Sequence, residues 1–150
     1  PDPDRVGMEA GWAETEINYE ADGSPWQPIR IDAHWEGQGH PQLDGWAWYA
    51  ADVQVPADWQ GESLYLCFTG VDDHYQAFVN GQNVGSAGVI ETKETAFEMR
   101  TSHRVPDSIQ AGDTLKIRIA VYDWYGAGGI FRPIYLRTTP WTNARPLLKR

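Results

Sequence analysis

The sequence predicts an all-β fold, an antiparallel β-sandwich. Apolar residues alternate with a period of two in several short runs, the pattern of strands with one face buried. Clusters of Gly, Asn, Asp and Pro separate those runs. No segment sustains the 3.6-residue apolar repeat of an amphipathic helix.

Within residues 61–85, Leu64, Leu66 and Phe68 alternate with Tyr65 and Cys67 and read as a strand. Residues 70–73 read as a turn cluster. Tyr75, Ala77 and Val79 then alternate with Gln76 and Phe78, and the run ends in Asn80-Gly81. That pair tolerates the positive φ a tight hairpin turn demands. This hairpin is expected to organise the chain.

The remaining elements are read in order. Residues 1–16 are irregular. Ile29-Arg30-Ile31 reads as a short strand burying both Ile. Residues 34–45 hold three Gly and a Pro and read as a loop. Residues 46–56 alternate again: Ala47, Tyr49, Ala51, Val53 and Val55 share one face, Trp46, Trp48, Ala50, Asp52 and Gln54 the other. Pro56 ends that strand. Residues 85–95 read as an exposed loop, and Phe97 and Met99 as part of a short strand. Leu115, Ile117, Ile119 and Val121 form the clearest strand, with Lys116 and Arg118 outward. Residues 123–129 are a loop, and residues 130–138 close with Ile134 and Leu136 inward. The sandwich is expected over residues 1–139, with residues 140–150 a C-terminal linker or tail.

Composition excludes several functions. With 22% charged and 41% hydrophobic residues the 150-residue chain is globular and can bury a core. A net charge of -9 opposes binding to nucleic acid and to anionic membranes, which need a basic surface. No long apolar run suggests a membrane span. The single cysteine, Cys67, lies in a strand pattern and reads as a small core residue, not a nucleophile. The chain reads as a segment of a longer polypeptide. Eight Trp, seven Tyr and four Phe exceed what one small core needs, so some rings are expected to face solvent or a ligand.

The order Trp48-Tyr49, Val55-Pro56, Trp59, Gly61, Leu64, Leu66, Phe68, Gly70-Val71-Asp72, Val79-Asn80-Gly81, Gly112-Asp113 and Gly128-Gly129-Ile130-Phe131-Arg132 resembles the N-terminal sugar-binding domain of glycoside hydrolase family 2 enzymes. The resemblance runs from Asp4 to Thr138. It implies a galactose-binding-like jelly roll of two facing antiparallel sheets. It also implies an accessory role, because the family's catalytic carboxylates lie in a separate barrel domain. One departure is the short loop at 123–129, where family enzymes often carry a long one reaching toward that barrel.

Sugar recognition has a clear chemistry. A flat aromatic ring covers the C–H face of a pyranose, and planar polar groups pair with its hydroxyls. Three segments carry this mix: His34, Trp35 and Glu36 with Gln38 and His40; Asp72, Asp73 and His74, where Asp72 also reads as stabilising its own turn; and Asp123, Trp124 and Tyr125. The resemblance brings the first and third to one end of the sandwich. Trp124 or Trp35 is the expected stacking platform, with Glu36, Asp73, His74 and Asp123 as hydroxyl partners. Trp35 reads equally well as a core residue. Trp46 and Trp48 are expected beneath a neighbouring segment. No metal-ligand spacing, nucleophile motif or phosphate loop is present. Many jelly-roll sugar binders hold a structural calcium, but no compact Asp-x-Asp loop assigns ligands to one here, so calcium is left unassigned and no other cofactor is expected.

These readings converge on a non-catalytic carbohydrate-binding module that targets a secreted or periplasmic polysaccharide-degrading enzyme to its glycan. Its partners are a polysaccharide or oligosaccharide and a parent catalytic domain in the same chain. The alternatives are a structural accessory domain that packs on a catalytic barrel without binding sugar, and a protein-interaction module.

Overall fold

A computed structural model describes residues 1–141. Nine strands form: β1 (Gly45–Gln54), β2 (Tyr65–Phe68), β3 (Val71–Asp72), β4 (His74–Val79), β5 (Gln82–Ala87), β6 (Thr101–Arg104), β7 (Thr114–Asp123), β8 (Gly129–Ile130) and β9 (Tyr135–Arg137). All named pairings are antiparallel. One sheet has the order β1-β7-β4-β5, a second β6-β2-β9, and β3 pairs with β8 in a short ribbon at one end. The expected β-sandwich is present.

Strand parity builds the core. In β7, Leu115, Ile117, Ile119 and Val121 point inward, as do Ala47 and Tyr49 of β1 and Tyr75, Ala77 and Val79 of β4. They meet Leu66 and Phe68 of β2 across the interior. The Asn80-Gly81 turn joins β4 to β5, with φ of 48° and 81°. This is the positive-φ pair that the sequence demanded. Cys67 is fully buried, its Sγ 3.4 Å from Ser102 Oγ.

The N-terminal segment covers the outer face of the four-stranded sheet. Trp46, Trp48, Phe78 and Ala120 form a second buried cluster there, with Trp12 and Trp26 packed on it. Trp12 meets both Trp26 and Trp48 edge-on. The Asp2 carboxylate pins the segment by accepting from Val6 N, Gly7 N and Trp48 Nε1. Arg118 faces outward by parity, as read, but this cover buries it completely. Its guanidinium pairs with Asp52 at 2.9 Å and donates to the carbonyls of Ile117 and Thr15. Lys116 pairs with Glu16 of the same segment.

Several local expectations are corrected. Ile29-Arg30-Ile31 is not a strand. Gln38 clamps Arg30 through its backbone N and O, and Ile31 stays exposed. Residues 70–73 are not a plain turn, because Val71 and Asp72 pair with Ile130 and Gly129. The strand expected near Phe97 and Met99 starts later, at Thr101. The loop read at 34–45 contains a one-turn 3-10 helix, Trp35–Gln38.

Of the expected tail at 140–150, residues 142–150 lie outside the described residues. Trp141 packs against the sandwich. Its N–H donates to Ser102 Oγ, and Arg137 lies 4.0 Å over its ring.

Candidate functional site

One end of the sandwich gathers residues from four separate segments. The β7 parity that points Val121 inward also points Asp123 inward, so this carboxylate lies fully buried where the strand leaves the sheet. The next residue, Trp124, falls on the opposite parity. Its ring meets Tyr122 edge-on and is half-buried. Tyr125 follows at the tip and is 78% exposed.

Backbone N–H groups hold the acids in place. Asp73 Oδ2 accepts from Trp124 N at 3.1 Å, and Asp123 Oδ1 accepts from Tyr125 N at 3.2 Å. Glu36 Oε2 accepts from Gly128 N, and Asp44 from Gly126 N. Three residues of the 123–129 loop, Trp124, Gly126 and Gly128, are therefore fixed to acids from three other segments, and Tyr125 to the loop's own Asp123. Asp72 completes the group. Carboxylate oxygens of Asp72, Asp73 and Asp123 all lie within 4.8 Å of one another. Gly128 sits directly over this floor. A Cβ there would lie 2.6 Å from the Trp35 ring and 2.7 Å from Asp123 Oδ2, so only glycine fits.

Electrostatics follow from this crowding. Burial pushes the Asp72 carboxyl up to about 8, helped by its hydrogen bond to Asp73 and by the charges of Asp73, Asp123 and Glu36. Burial likewise raises Asp123 to about 7, helped by Asp73 and Asp44 and opposed by the Tyr125 N–H. Tyr49, whose hydroxyl accepts from Ile130 N below the site, is pushed up to about 12, chiefly by burial. Desolvation and like charge both disfavour ionisation. In the folded protein these acids keep protons that an unfolded chain, at its ordinary value of 3.8, has released. Their contribution to stability is therefore full at low pH and is lost as pH rises through 7 to 8. The urea midpoint is therefore expected to rise as pH is lowered from about 8 to about 5. Asp72→Asn is expected to flatten that rise. A midpoint that falls over the same window would contradict it.

The structure places the sequence candidates as follows. Glu36, Asp73, Asp123, Trp124 and Tyr125 are brought together, with Asp123 beneath the rim and not on it. Trp35 is corrected from a stacking platform to a core residue. It is 1% exposed, with its backbone N–H donating to Gly128 O. His74 is corrected as a hydroxyl partner. It lies on the outer face of the sheet, where Nδ1 meets Gly88 O at 2.9 Å and the ring lies edge-on to Trp46. His40 lines a different feature, a cleft of about 440 Å³ along the free edge of β1 with Trp12 and Trp26. A second opening of about 570 Å³ lies between the sheet edges and is apolar, with Val53, Leu66, Ile117 and Leu136 in its walls.

Sequence reasoning placed Asp72 in a candidate segment without seeing the carboxylate group it joins, and it missed an aromatic stack beside the rim. His34 stacks on Phe131 at 4.7 Å, and Phe131 on the partly exposed Phe97 at 4.7 Å. The signal for Phe131 was parity. Ile130 faces in, so its neighbour faces out.

No protein-family model matches the chain. A β-galactosidase of Priestia megaterium is 25% identical over 160 residues, which cover 83% of this chain and 14% of the relative. The structure superposes on Ruminococcus gnavus β-glucuronidase with a TM-score of 0.65 at 15% identity, covering 82% of this chain and 19% of that one. The same enzyme in complex with D-glucaro 1,5-lactone gives a TM-score of 0.65 and 82% coverage of this chain. The chain thus spans between 14% and 20% of the length of these glycosidases.

Proposed function

We propose that this chain, an antiparallel β-sandwich consistent with the N-terminal domain of family 2 glycoside hydrolases, is a non-catalytic domain that binds a glycan for a parent enzyme. The observation that carries the reading is the pairing at one rim. Tyr125 stands 78% exposed beside half-buried Trp124, next to the half-buried carboxylates of Asp72, Asp73 and Glu36. The rings offer flat apolar surface and the acids offer acceptors, the two things a pyranose requires. Both rings carry few rotors, so ordering them on binding costs little.

An open rim of this size buries little area, so affinity for a single chain end is weak. Its value lies in raising the local concentration of a linked catalytic domain on its substrate. The crowded acids favour a neutral glycan over a sulfated or uronic one, through like-charge repulsion. The parent is a secreted or periplasmic polysaccharide-degrading enzyme.

Affinity electrophoresis against a panel of soluble polysaccharides tests the reading. Retardation is expected on at least one neutral polysaccharide. Tyr125→Ala and Trp124→Ala are each expected to weaken it about tenfold, roughly 1–2 kcal/mol for an anchoring ring. Unchanged migration of the folded protein on every polysaccharide would contradict it. That result would favour the second reading, a structural domain docked on its catalytic neighbour, for which the apolar opening between the sheet edges is the supporting feature.

A further inference from the structure

Charge in this chain is segregated along the sequence. All 21 Asp and Glu fall within residues 1–123, whereas residues 124–150 hold five Arg and Lys and no acid. The fold displays part of that imbalance on the outer face of the β6-β2-β9 sheet. Leu66 and Phe68 point into the core, so Tyr65 and Cys67 fall on the outer face. The register then flanks Tyr65 with Arg104 and Arg137, and Cys67 with Ser102 and Tyr135. None of the three strands contains an acid. Trp141 lies over this face, where its ring meets Tyr135 edge-on and has Arg137 at 4.0 Å and Arg100 at 5.8 Å. Tyr135 is 45% exposed. Arg104 pairs with Asp107, but Arg100 and Arg137 form no ion pair among the described residues. Two guanidiniums are thus held against an indole without a counter-charge.

We propose that this face binds a polyuronate, a polysaccharide whose sugars carry carboxylates, at a site separate from the rim of Trp124 and Tyr125. A guanidinium's planar fork gives two parallel N–H donors to the two oxygens of a carboxylate, a match that no neutral sugar makes. Contact with Trp141 orients both forks in advance, so less freedom is lost when they bind. Tyr135 adds an exposed ring for the C–H face of a pyranose and a phenol for its hydroxyls. A sugar that carries a carboxylate uses all of these groups at once. A denser polyanion, such as a nucleic acid or a heavily sulfated glycan, suits the face less, because the chain as a whole carries a net charge of -9. The rim's preference for a neutral glycan arises from its own acids and does not extend to this face, whose strands have none.

Isothermal titration calorimetry of the whole chain with an oligogalacturonate tests the assignment, with the fully methyl-esterified oligomer as its uncharged counterpart. Saturable binding of the acid form is expected. It should weaken as sodium chloride rises from about 20 to about 200 mM, as screening of exposed charges requires. The ester should bind more weakly by about tenfold or more. Arg137→Gln and Arg100→Gln should each weaken binding of the acid form about tenfold, the ordinary cost of one lost charge-assisted hydrogen bond. Arg30→Gln, at an exposed arginine paired with Asp32, should leave it unchanged. No binding by the folded wild-type chain at millimolar oligomer would overturn the proposal and favour an acidic protein surface as the occupant. Equal binding of acid and ester would overturn it too. Binding lost in Tyr125→Ala but kept in folded Arg100→Gln and Arg137→Gln would place the uronate at the rim. That result would overturn this site and leave the glycan reading of the rim intact.

Discussion

Replacing Trp35 with Ala is expected to lower stability by about 3–5 kcal/mol, the range for truncating a buried Trp. The ring is 1% exposed and lies beneath Gly128 and Gly129, at the base of the functional loop. Removing it opens a cavity where β7, β8 and the 3-10 turn meet. The loss equals a large share of the total stability of an ordinary domain, about 5–15 kcal/mol. Urea unfolding followed by fluorescence reads it as a lower midpoint at unchanged slope. A Trp35→Ala protein of wild-type stability would return Trp35 to the role of an exposed sugar platform.

The second large effect is expected at Asp52. Arg118 has no exposed surface, and its guanidinium relies on this one carboxylate plus three carbonyls. Asp52→Ala leaves a buried charge uncompensated, at a cost of about 3 kcal/mol or more. The Asp52 side chain is itself 32% exposed, so water entering the gap holds the loss near the lower end. Replacing both partners, Asp52→Ala with Arg118→Met, is expected to recover most of that loss, because no charge is then stranded. A double variant less stable than Asp52→Ala alone would show that the arginine holds the N-terminal segment chiefly through the Thr15 carbonyl and its own stem.

The strand pattern was legible because period-two alternation is a local signal. Leu115 to Val121, Tyr75 to Val79 and the Asn80-Gly81 turn each announce themselves within a few residues. Ile29-Arg30-Ile31 alternates as well, yet no neighbouring strand offers it a ladder, and a side-chain amide from Gln38 takes its backbone groups instead. Alternation states which way side chains point, not whether an outer face is covered. Arg118 and His74 were expected to meet water. Arg118 is buried because the N-terminal segment folds across the sheet and Thr15 O caps its guanidinium, and His74 is buried against the Trp46 ring and the Gly88 carbonyl.

The site was legible in its loops and not in its depth. Asp123, Trp124 and Tyr125 formed a visible cluster of sugar-binding residue types, but their division of labour is set by parity at the end of β7. Carrying the Leu115-to-Val121 alternation one step further would have placed Asp123 inside. The partners of Asp72 were unreadable, because Glu36 and Asp123 are brought to it only by the β3-β8 ribbon and the loop it anchors.

Nuclear magnetic resonance titration of the ¹⁵N-labelled chain with an oligosaccharide of the retarding glycan tests the sugar-binding rim most directly. The account predicts saturable shifts of the Trp124 indole N–H and of the backbone amides of Tyr125, Gly126 and Gly128, with the strands of the four-stranded sheet unmoved. Shifts confined to the Trp12, Trp26 and His40 cleft, or a folded spectrum unchanged by every glycan tried, would contradict it.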